Sequence, residues 1–135
     1  MKTWFVDSNI FLRFFTSDDA AQSERAAKLL RSAAEGKVRL ICGPPVLFEV
    51  AWTLRSAYHI PRDNVLSALQ MLFAIPGLEF TDASVVGQAL TSASLTKTEF
   101  ADAYIAAIAT STGCEGVATF DDKDFDRLGM ARAEF

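Results

Sequence analysis

The residues best suited to chemistry in this sequence are four acids set in or beside apolar stretches, Asp7, Glu49, Asp102 and Asp121. Asp102 interrupts the run of residues 99–109, which is otherwise almost wholly apolar and is predicted to form a helix. An ionised carboxylate in such a helix is costly unless a partner compensates its charge. No Lys or Arg lies within a turn or two on the same helix. Four carboxylates gathered in one crevice would repel one another, and a divalent metal ion is the simplest compensation.

The ligand chemistry favours magnesium or manganese over zinc, because carboxylate oxygens are hard donors. The only histidine, His59, stands beside Ile60 and Pro61, a position typical of a helix end at the surface. With a single imidazole in the chain, a serine or cysteine nucleophile has little support. The sequence has neither a P-loop nor a glycine-rich dinucleotide fingerprint, so nucleotide-cofactor folds lack their main signature.

Structural roles compete with the chemical one at several of these acids. Asp7 and Asp121 each follow a short predicted strand and precede a helix, where aspartate is a favoured cap. Glu99 completes the capping-box pattern Thr96-Lys97-Thr98-Glu99. It also lies three residues before Asp102 and therefore on the same helix face. Both interpretations stay open for these three acids.

Glu49 has no comparable structural explanation, because it lies about one turn into a predicted helix that is apolar on most sides. We expect it to be a second acid in a dry environment. Asp124 belongs to the acid-rich turn of residues 121–126, where solvation or a favourable interaction with the helix dipole is the ordinary outcome. A part in the site is the alternative interpretation for Asp124.

Strands alternate with helices along the chain, which is typical of a mainly parallel sheet covered on both faces. We predict an α/β fold, a three-layer sandwich with a mainly parallel sheet of four to five strands flanked by helices. The expected strands are 3–6, 38–42, 78–80, 117–120 and 131–135, and the longer expected helices are 19–35, 46–58, 62–73, 82–95 and 99–109. A length of 135 residues with half of them apolar suits one domain over residues 1–135.

The four acids stand at related places in this predicted fold. In open α/β sheets, ligands bind in the crevice at the carboxyl ends of the strands. Asp7 follows the first predicted strand, Glu49 lies a turn beyond the second, and Asp121 follows the penultimate one. Asp102 is near the start of the helix that leads into that strand. All four are therefore expected to face one crevice.

Composition excludes some classes of protein. The net charge of −4 and the isoelectric point near 4.9 argue against a broad basic surface for nucleic acid. They are compatible with an acidic metal site, because bound cations supply local positive charge. Cys42 and Cys114 lie far apart and are interpreted as reduced core residues of a cytoplasmic protein. We expect no signal peptide, no membrane span and no membrane partner.

Four stretches of the sequence, taken in order, resemble the PIN-domain family. They are Val6-Asp7-Ser8-Asn9, the isolated Glu49 after the second predicted strand, residues 100–107 around Asp102, and residues 119–125. The likeness spans nearly the whole chain, and it is strongest to the small VapC-type toxins of toxin-antitoxin pairs. The ordered set is more specific than any one of its motifs.

The resemblance implies a Rossmann-like parallel sheet and metal-dependent endoribonuclease activity, in a homodimer neutralised by a small antitoxin protein. By position, the catalytic acids of the family are matched by Asp7, Glu49, Asp102 and Asp121. The same likeness makes Asp7, Asp102 and Asp121 the ligands of one or two Mg²⁺ or Mn²⁺ ions. Supporting positions are matched by Ser8, Asn9, Glu99, Thr119 and Asp124. Thr119 is expected to orient an acid or a water molecule.

We hypothesise hydrolysis of RNA phosphodiester bonds, with Glu49 positioning the ions or the attacking water. The alternative is a non-catalytic module that binds nucleic acid or acts as a regulator within a partner complex. A phospho-acceptor receiver domain also collects acids at strand ends. It needs an acidic pair after the first strand, however, where this chain has Asp7 followed by Ser8 and Asn9. The receiver domain is therefore disfavoured.

Overall fold

The computed structural model describes residues Met1–Phe135, which divide into two compact units, Met1–Ala83 and Ser84–Phe135. The elements in chain order are β1 Thr3–Phe5, α1 Ser8–Phe15, α2 Ala20–Ala34, β2 Arg39–Cys42, α3 Pro44–Ser56, α4 Arg62–Phe73, β3 Leu78–Phe80, α5 Ala83–Thr96, α6 Phe100–Ser111 and α7 Asp122–Arg127. None of these helices has both the length and the apolar character needed to cross a bilayer.

The first unit is built on a three-stranded parallel sheet in the order β1-β2-β3. On the central strand, Leu40 pairs with Trp4 on one side and with Leu78 on the other. Parallel neighbours require crossover connections. Helices α1 and α2 connect β1 to β2, and α3 and α4 connect β2 to β3. The predicted α/β class, with a parallel sheet flanked by helices, is confirmed.

Helix α2 shows how an amphipathic pattern positions the elements of this unit. Ala26, Leu30 and Ala33 recur at spacings of four and three residues and are all buried, so one stripe of the helix faces the core. The side chain of Asp19 accepts a hydrogen bond from the backbone N–H of Gln22 at 3.0 Å and caps the helix, as aspartate commonly does. The pattern therefore fixes both the start and the buried face of α2.

The sheet has three strands, so the prediction of four to five is corrected. In the second unit, Val117 and Arg132 form a single parallel bridge instead of two strands. Its hydrogen bonds run from the Val117 N–H to the Ala131 carbonyl at 2.9 Å and from the Ala133 N–H to the Val117 carbonyl at 3.0 Å. Thr119 already belongs to a local turn, because its hydroxyl accepts from the backbone N–H of Asp121 at 2.9 Å. That turn ends the pairing after one residue.

The capping box predicted at residues 96–99 does not form. Helix α5 continues to Thr96, whose hydroxyl donates to the Ser92 carbonyl at 2.7 Å, and Lys97 then adopts a φ of 58°. Helix α6 begins at Phe100, with Glu99 in the cap position but without a capping hydrogen bond from its side chain. The Thr96 hydroxyl therefore bonds within the preceding helix, and the interpretation of Glu99 as a capping-box residue is wrong.

Helix α6 is buried on one side only. Ala103 and Tyr104 are buried, whereas Ile105 and Ile108 are 47% and 41% exposed. A helix that is apolar all round is normally enclosed by protein. In α6, by contrast, the two isoleucines leave an apolar strip on the surface of the second unit. Cys114, just beyond this helix, is free and exposed, which corrects the prediction that it is a core residue.

Candidate active site

Three aspartates of the second unit lie together. Asp102 is in the first turn of α6, Asp121 precedes α7 as its cap residue, and Asp124 is in the first turn of α7. One carboxylate oxygen from each lies within 4.8 Å of those of the other two. We call Asp102, Asp121 and Asp124 the aspartate cluster. It contains two of the predicted metal ligands together with a predicted supporting residue.

Local hydrogen bonds fix the cluster at its α7 end. The backbone N–H of Asp124 donates to Asp121 Oδ1 at 3.2 Å, which starts the helix and holds the two side chains on one side of it. The Thr119 hydroxyl accepts from the Asp121 N–H at 2.9 Å. Thr119 therefore orients the backbone of an acidic residue.

The electrostatics of the cluster are unfavourable for three free carboxylates. Burial raises the pKa of Asp102 above its ordinary value, and the negative charges of Asp124, Asp121 and Glu99 raise it further. The one ion pair at the cluster is long, with Arg127 Nη1 4.0 Å from Asp124 Oδ1. A divalent cation would relieve this repulsion.

The donors present fit such a cation. All three are carboxylate oxygens, the hard ligands that Mg²⁺ and Mn²⁺ prefer, and no histidine or cysteine belongs to the cluster. Mg²⁺ commonly takes one or two carboxylates and keeps several waters, so three carboxylates are an adequate set. The cluster can therefore hold a divalent metal ion.

The first unit carries a separate group of site residues around Ser8. The Asp7 carboxylate caps α1 by accepting from the Ser8 backbone N–H at 2.8 Å through Oδ1. The buried Ser8 hydroxyl donates to Glu49 Oε1 at 2.7 Å. This bond ties the start of α1 to the middle of α3, so Ser8 positions Glu49. Asn9, the next residue, is exposed and borders a cleft along α1 and α2.

The structure corrects one expectation about these acids and decides the capping role of two others. Glu49 is exposed, although its helix is apolar on most sides, so the prediction of a dry environment for it is wrong. Asp7 and Asp121 do cap helices, each through Oδ1. Capping uses one oxygen of each carboxylate, so the structural and chemical interpretations of these two residues are compatible.

Asp124, which is predicted to be a supporting residue, lies in the aspartate cluster beside the predicted metal ligands Asp102 and Asp121. The useful signal was its spacing from Asp121. A cap residue and the residue three positions later face each other in the first turn of a helix. The spacing that makes Asp121 a cap therefore also places Asp124 beside it.

Comparison with known proteins identifies the family. The model of the PIN domain matches residues 4–130, nearly the whole chain, and the chain belongs to the PIN-domain family. Members of this family are nucleases, which also sets the receiver domain aside. Among solved structures, the chain is similar to VapC20 of Mycobacterium tuberculosis, a toxin that cleaves the sarcin-ricin loop. The two share 20% identity and a TM-score of 0.41, over 95% of this chain and 96% of that one. No curated protein matches the chain.

Proposed function

We propose that this chain is a metal-dependent endoribonuclease that hydrolyses RNA phosphodiester bonds and acts as one nuclease domain. The observation that carries the proposal is the aspartate cluster, which brings three carboxylates within 4.8 Å in a member of the PIN-domain family. The proposed catalytic acids are Asp7, Glu49, Asp102 and Asp121. The likeness of their sequence motifs to the PIN-domain family supports this assignment.

Asp102, Asp121 and Asp124 would hold Mg²⁺ or Mn²⁺. Asp7 is proposed as a further ligand on the motif likeness alone. When bound, the ion offsets charge that builds up on the phosphate and makes an attacking water more acidic. The residues themselves supply position and charge. The ionised form of Asp102 should depend most on the cation, because burial and the neighbouring carboxylates disfavour that form when no cation is bound.

Glu49 has a different part in the proposed reaction. It is exposed, and its Oε1 is held by the Ser8 hydroxyl at 2.7 Å. A carboxylate fixed through one oxygen keeps its other oxygen free to accept a hydrogen bond from water. We assign Glu49 to orienting the attacking water and Ser8 to orienting Glu49. Asp7, with Oδ1 committed to the cap, would act through Oδ2.

The experiment that tests this function is cleavage of a labelled single-stranded RNA by the wild-type chain and by Asp102→Asn. We expect cleavage with Mg²⁺ or Mn²⁺, none in excess EDTA, and a loss of about 100-fold or more in Asp102→Asn, as for removal of a principal charged group in an active site. Asp122→Asn is the matched control. Asp122 is the first residue of α7, next to Asp121, but lies outside the cluster, so the Asp122→Asn variant should cleave RNA normally.

Cleavage that persists in EDTA, or an Asp102→Asn variant with wild-type activity, would contradict the proposal. Metal-dependent RNA binding without any cleavage by the wild-type chain would instead favour the non-catalytic binding module. Circular dichroism of each variant shows whether a loss of activity comes with a loss of fold.

We further propose that the nuclease is the toxin of a toxin-antitoxin pair, is cytoplasmic, and forms a homodimer that a small antitoxin protein neutralises. The motif likeness to VapC-type toxins supports this. So does the exposed apolar surface of the second unit, where Leu95, Ile105 and Ile108 are accessible to a protein partner. Induced expression in bacteria should arrest growth with the wild-type chain and not with Asp102→Asn. Light scattering should give twice the chain mass of 14.7 kDa.

A further inference from the structure

A cleft of about 580 Å³ runs along α1 and α2 of the first unit. Its polar lining consists of Asn9, Arg13, Gln22 and Arg25, and Ile10 and Leu29 supply apolar surface. No acidic side chain lines the cleft, although the chain as a whole carries a net charge of −4. Its local charge is therefore opposite in sign to that of the protein, which suits an anionic ligand.

The two arginines differ in how they are held. Arg13 donates from Nε to Gln22 Oε1 at 2.7 Å and from Nη1 to Asp18 Oδ1 at 3.1 Å, so its guanidinium is fixed and its charge is partly compensated. Arg25 is exposed and has no ion pair or hydrogen bond in the structure. Arg25 is thus the uncompensated cation of the cleft, and guanidinium groups bind phosphate oxygens well.

The cleft begins in the first turn of α1, the helix that is capped by Asp7, one of the proposed catalytic acids. Asn9 borders the cleft. It comes two residues after Asp7 and directly after Ser8, which holds Glu49. A nucleic acid strand with a phosphate near Asp7 can therefore continue along α1 into the cleft. The mixed lining suits a nucleotide, since a base packs on apolar side chains while arginine contacts the backbone.

We propose that this cleft binds single-stranded RNA beside the cleaved bond, with Arg25 contacting a phosphate and Ile10 and Leu29 receiving a base. This inference rests on the proposed ribonuclease function, because the ligand is the substrate strand. Arg25 is a positioning residue and does not touch the reacting atoms. Its removal should therefore weaken RNA binding and raise KM while leaving kcat nearly unchanged.

The test measures fluorescence anisotropy of a labelled single-stranded RNA bound to Asp102→Asn protein in EDTA. The substitution lies outside the first unit, and these conditions are expected to prevent cleavage of the probe. Adding Arg25→Gln should weaken RNA binding about tenfold. It should also make the slope of log affinity against log salt concentration less steep, by the amount due to about one phosphate contact. Lys28→Gln is the matched control. It removes one exposed positive charge from the same helix, three residues further on and outside the cleft. Arg25→Lys should restore part of the affinity.

Several results would overturn the inference. These are unchanged affinity in Arg25→Gln, equal losses in Arg25→Gln and Lys28→Gln, or no RNA binding by the parent protein. If Arg25→Gln weakens the binding of an acidic peptide and leaves RNA binding unchanged, the cleft is assigned to a protein partner instead. If Arg25 governs RNA binding while the wild-type chain cleaves no RNA, the cleft assignment stands and the ribonuclease proposal fails, so the two failures are distinguishable.

Discussion

The Ser8 hydroxyl donates to the Glu49 carboxylate at 2.7 Å, across 41 positions of sequence. Ser8 is 2% exposed, whereas Glu49 is exposed, so a buried donor orients a carboxylate at the surface. Such an arrangement fixes the direction of one oxygen and leaves the other accessible. The bond is too remote in sequence to be a turn or a cap, and it explains why a serine follows Asp7.

Removing this bond should reduce activity without removing any charge. We expect Ser8→Ala to lower kcat for RNA cleavage about tenfold, since an unoriented Glu49 samples other rotamers. Glu49→Gln keeps an oxygen that can accept from Ser8 but loses the charge, and it should lower kcat further. If the two residues act as a unit, the double variant is no worse than Glu49→Gln alone. Full additivity of the two effects in steady-state kinetics would contradict the coupling.

The raised pKa of Asp102 predicts how metal-free protein responds to pH. Because the folded-state pKa lies above the ordinary value of 3.8, the contribution of Asp102 to stability is greatest below that value. It is lost as the pH rises through the raised pKa. In EDTA, Asp102→Asn should therefore have a higher Tm than the wild type at pH 7, and the difference should disappear near pH 3. Thermal scans followed by circular dichroism measure both.

Metal binding should reverse this order of stability. With Mn²⁺ at about 100 times its Kd, the wild type gains about 2.7 kcal/mol of stability, which raises its Tm by several degrees. The Asp102→Asn variant should show a much smaller shift, because it lacks one of the three carboxylates of the cluster. Asp122→Asn should respond like the wild type. Equal Mn²⁺ shifts in all three proteins would place the ion elsewhere.

The hydrogen bond between Tyr58 and Asp18 should contribute to the stability of the first unit at neutral pH, and this contribution should be lost in acid. The Tyr58 hydroxyl donates to Asp18 Oδ2 at 2.6 Å, and this bond, with those from Thr16 and Arg13, lowers the pKa of Asp18. Stability from a lowered pKa is present above the unfolded value and lost as pH falls through the folded value. Tyr58→Phe should lower the Tm slightly at pH 7 and not at pH 2. A Tyr58→Phe effect that is the same at both pH values would show that Asp18 ionisation is not involved.

Gly77 marks a close approach of two chain segments in the first unit. It has a φ of +81°, and a Cβ built there would lie 2.2 Å from the Ala33 carbonyl oxygen at the end of α2. Gly77→Ala should reduce the free energy of unfolding by about 3 kcal/mol or more, because both backbone segments must move. Gly36→Ala is the control, since Gly36 has a φ of +76° but no atom within 4 Å. Its cost should be only the conformational one, about 1–2 kcal/mol. Urea unfolding measures both, and equal costs would contradict the close approach.

The sequence predicted most elements of the first unit because their signals are local. Helix α4 occupies Arg62–Phe73 as predicted, and Asp19 caps α2 where a capping residue precedes a regular apolar stripe. Helix α3 starts at Pro44, two residues earlier than predicted, because proline fits the first turn of a helix without losing a hydrogen bond. Periodicity and capping therefore fix helices well, within a residue or two at their ends.

The errors arose where a local pattern had two possible partners. Thr96 fits a capping box, but it bonds back to Ser92 and extends α5 instead. Residues 117–120 have strand composition, yet Thr119 turns toward Asp121 after a single bridge. Glu49 lies in an apolar helix, and only tertiary packing determines that its own position is exposed. A sequence pattern shows which partners a residue could have, but not which of them it takes in the folded chain.

The candidate site was predictable in its residue types more than in its grouping. Asp102 and Asp121 were singled out from their chemistry, and the structure brings them within 4.8 Å of each other together with Asp124. The Ser8 to Glu49 bond could not be found from spacing, because it depends on the tertiary packing of α1 against α3. Arg25 likewise resembles any exposed helix residue until the cleft beside it is known.

The most direct test of the account is the position of a bound cation in a crystal of the active protein. Anomalous diffraction from Mn²⁺-soaked crystals should show a peak about 2.0–2.3 Å from carboxylate oxygens of at least two of Asp102, Asp121 and Asp124. A peak at that place that disappears in Asp102→Asn crystals is the predicted result. Protein that cleaves RNA with Mn²⁺ but binds the ion away from these three aspartates would contradict the central claim.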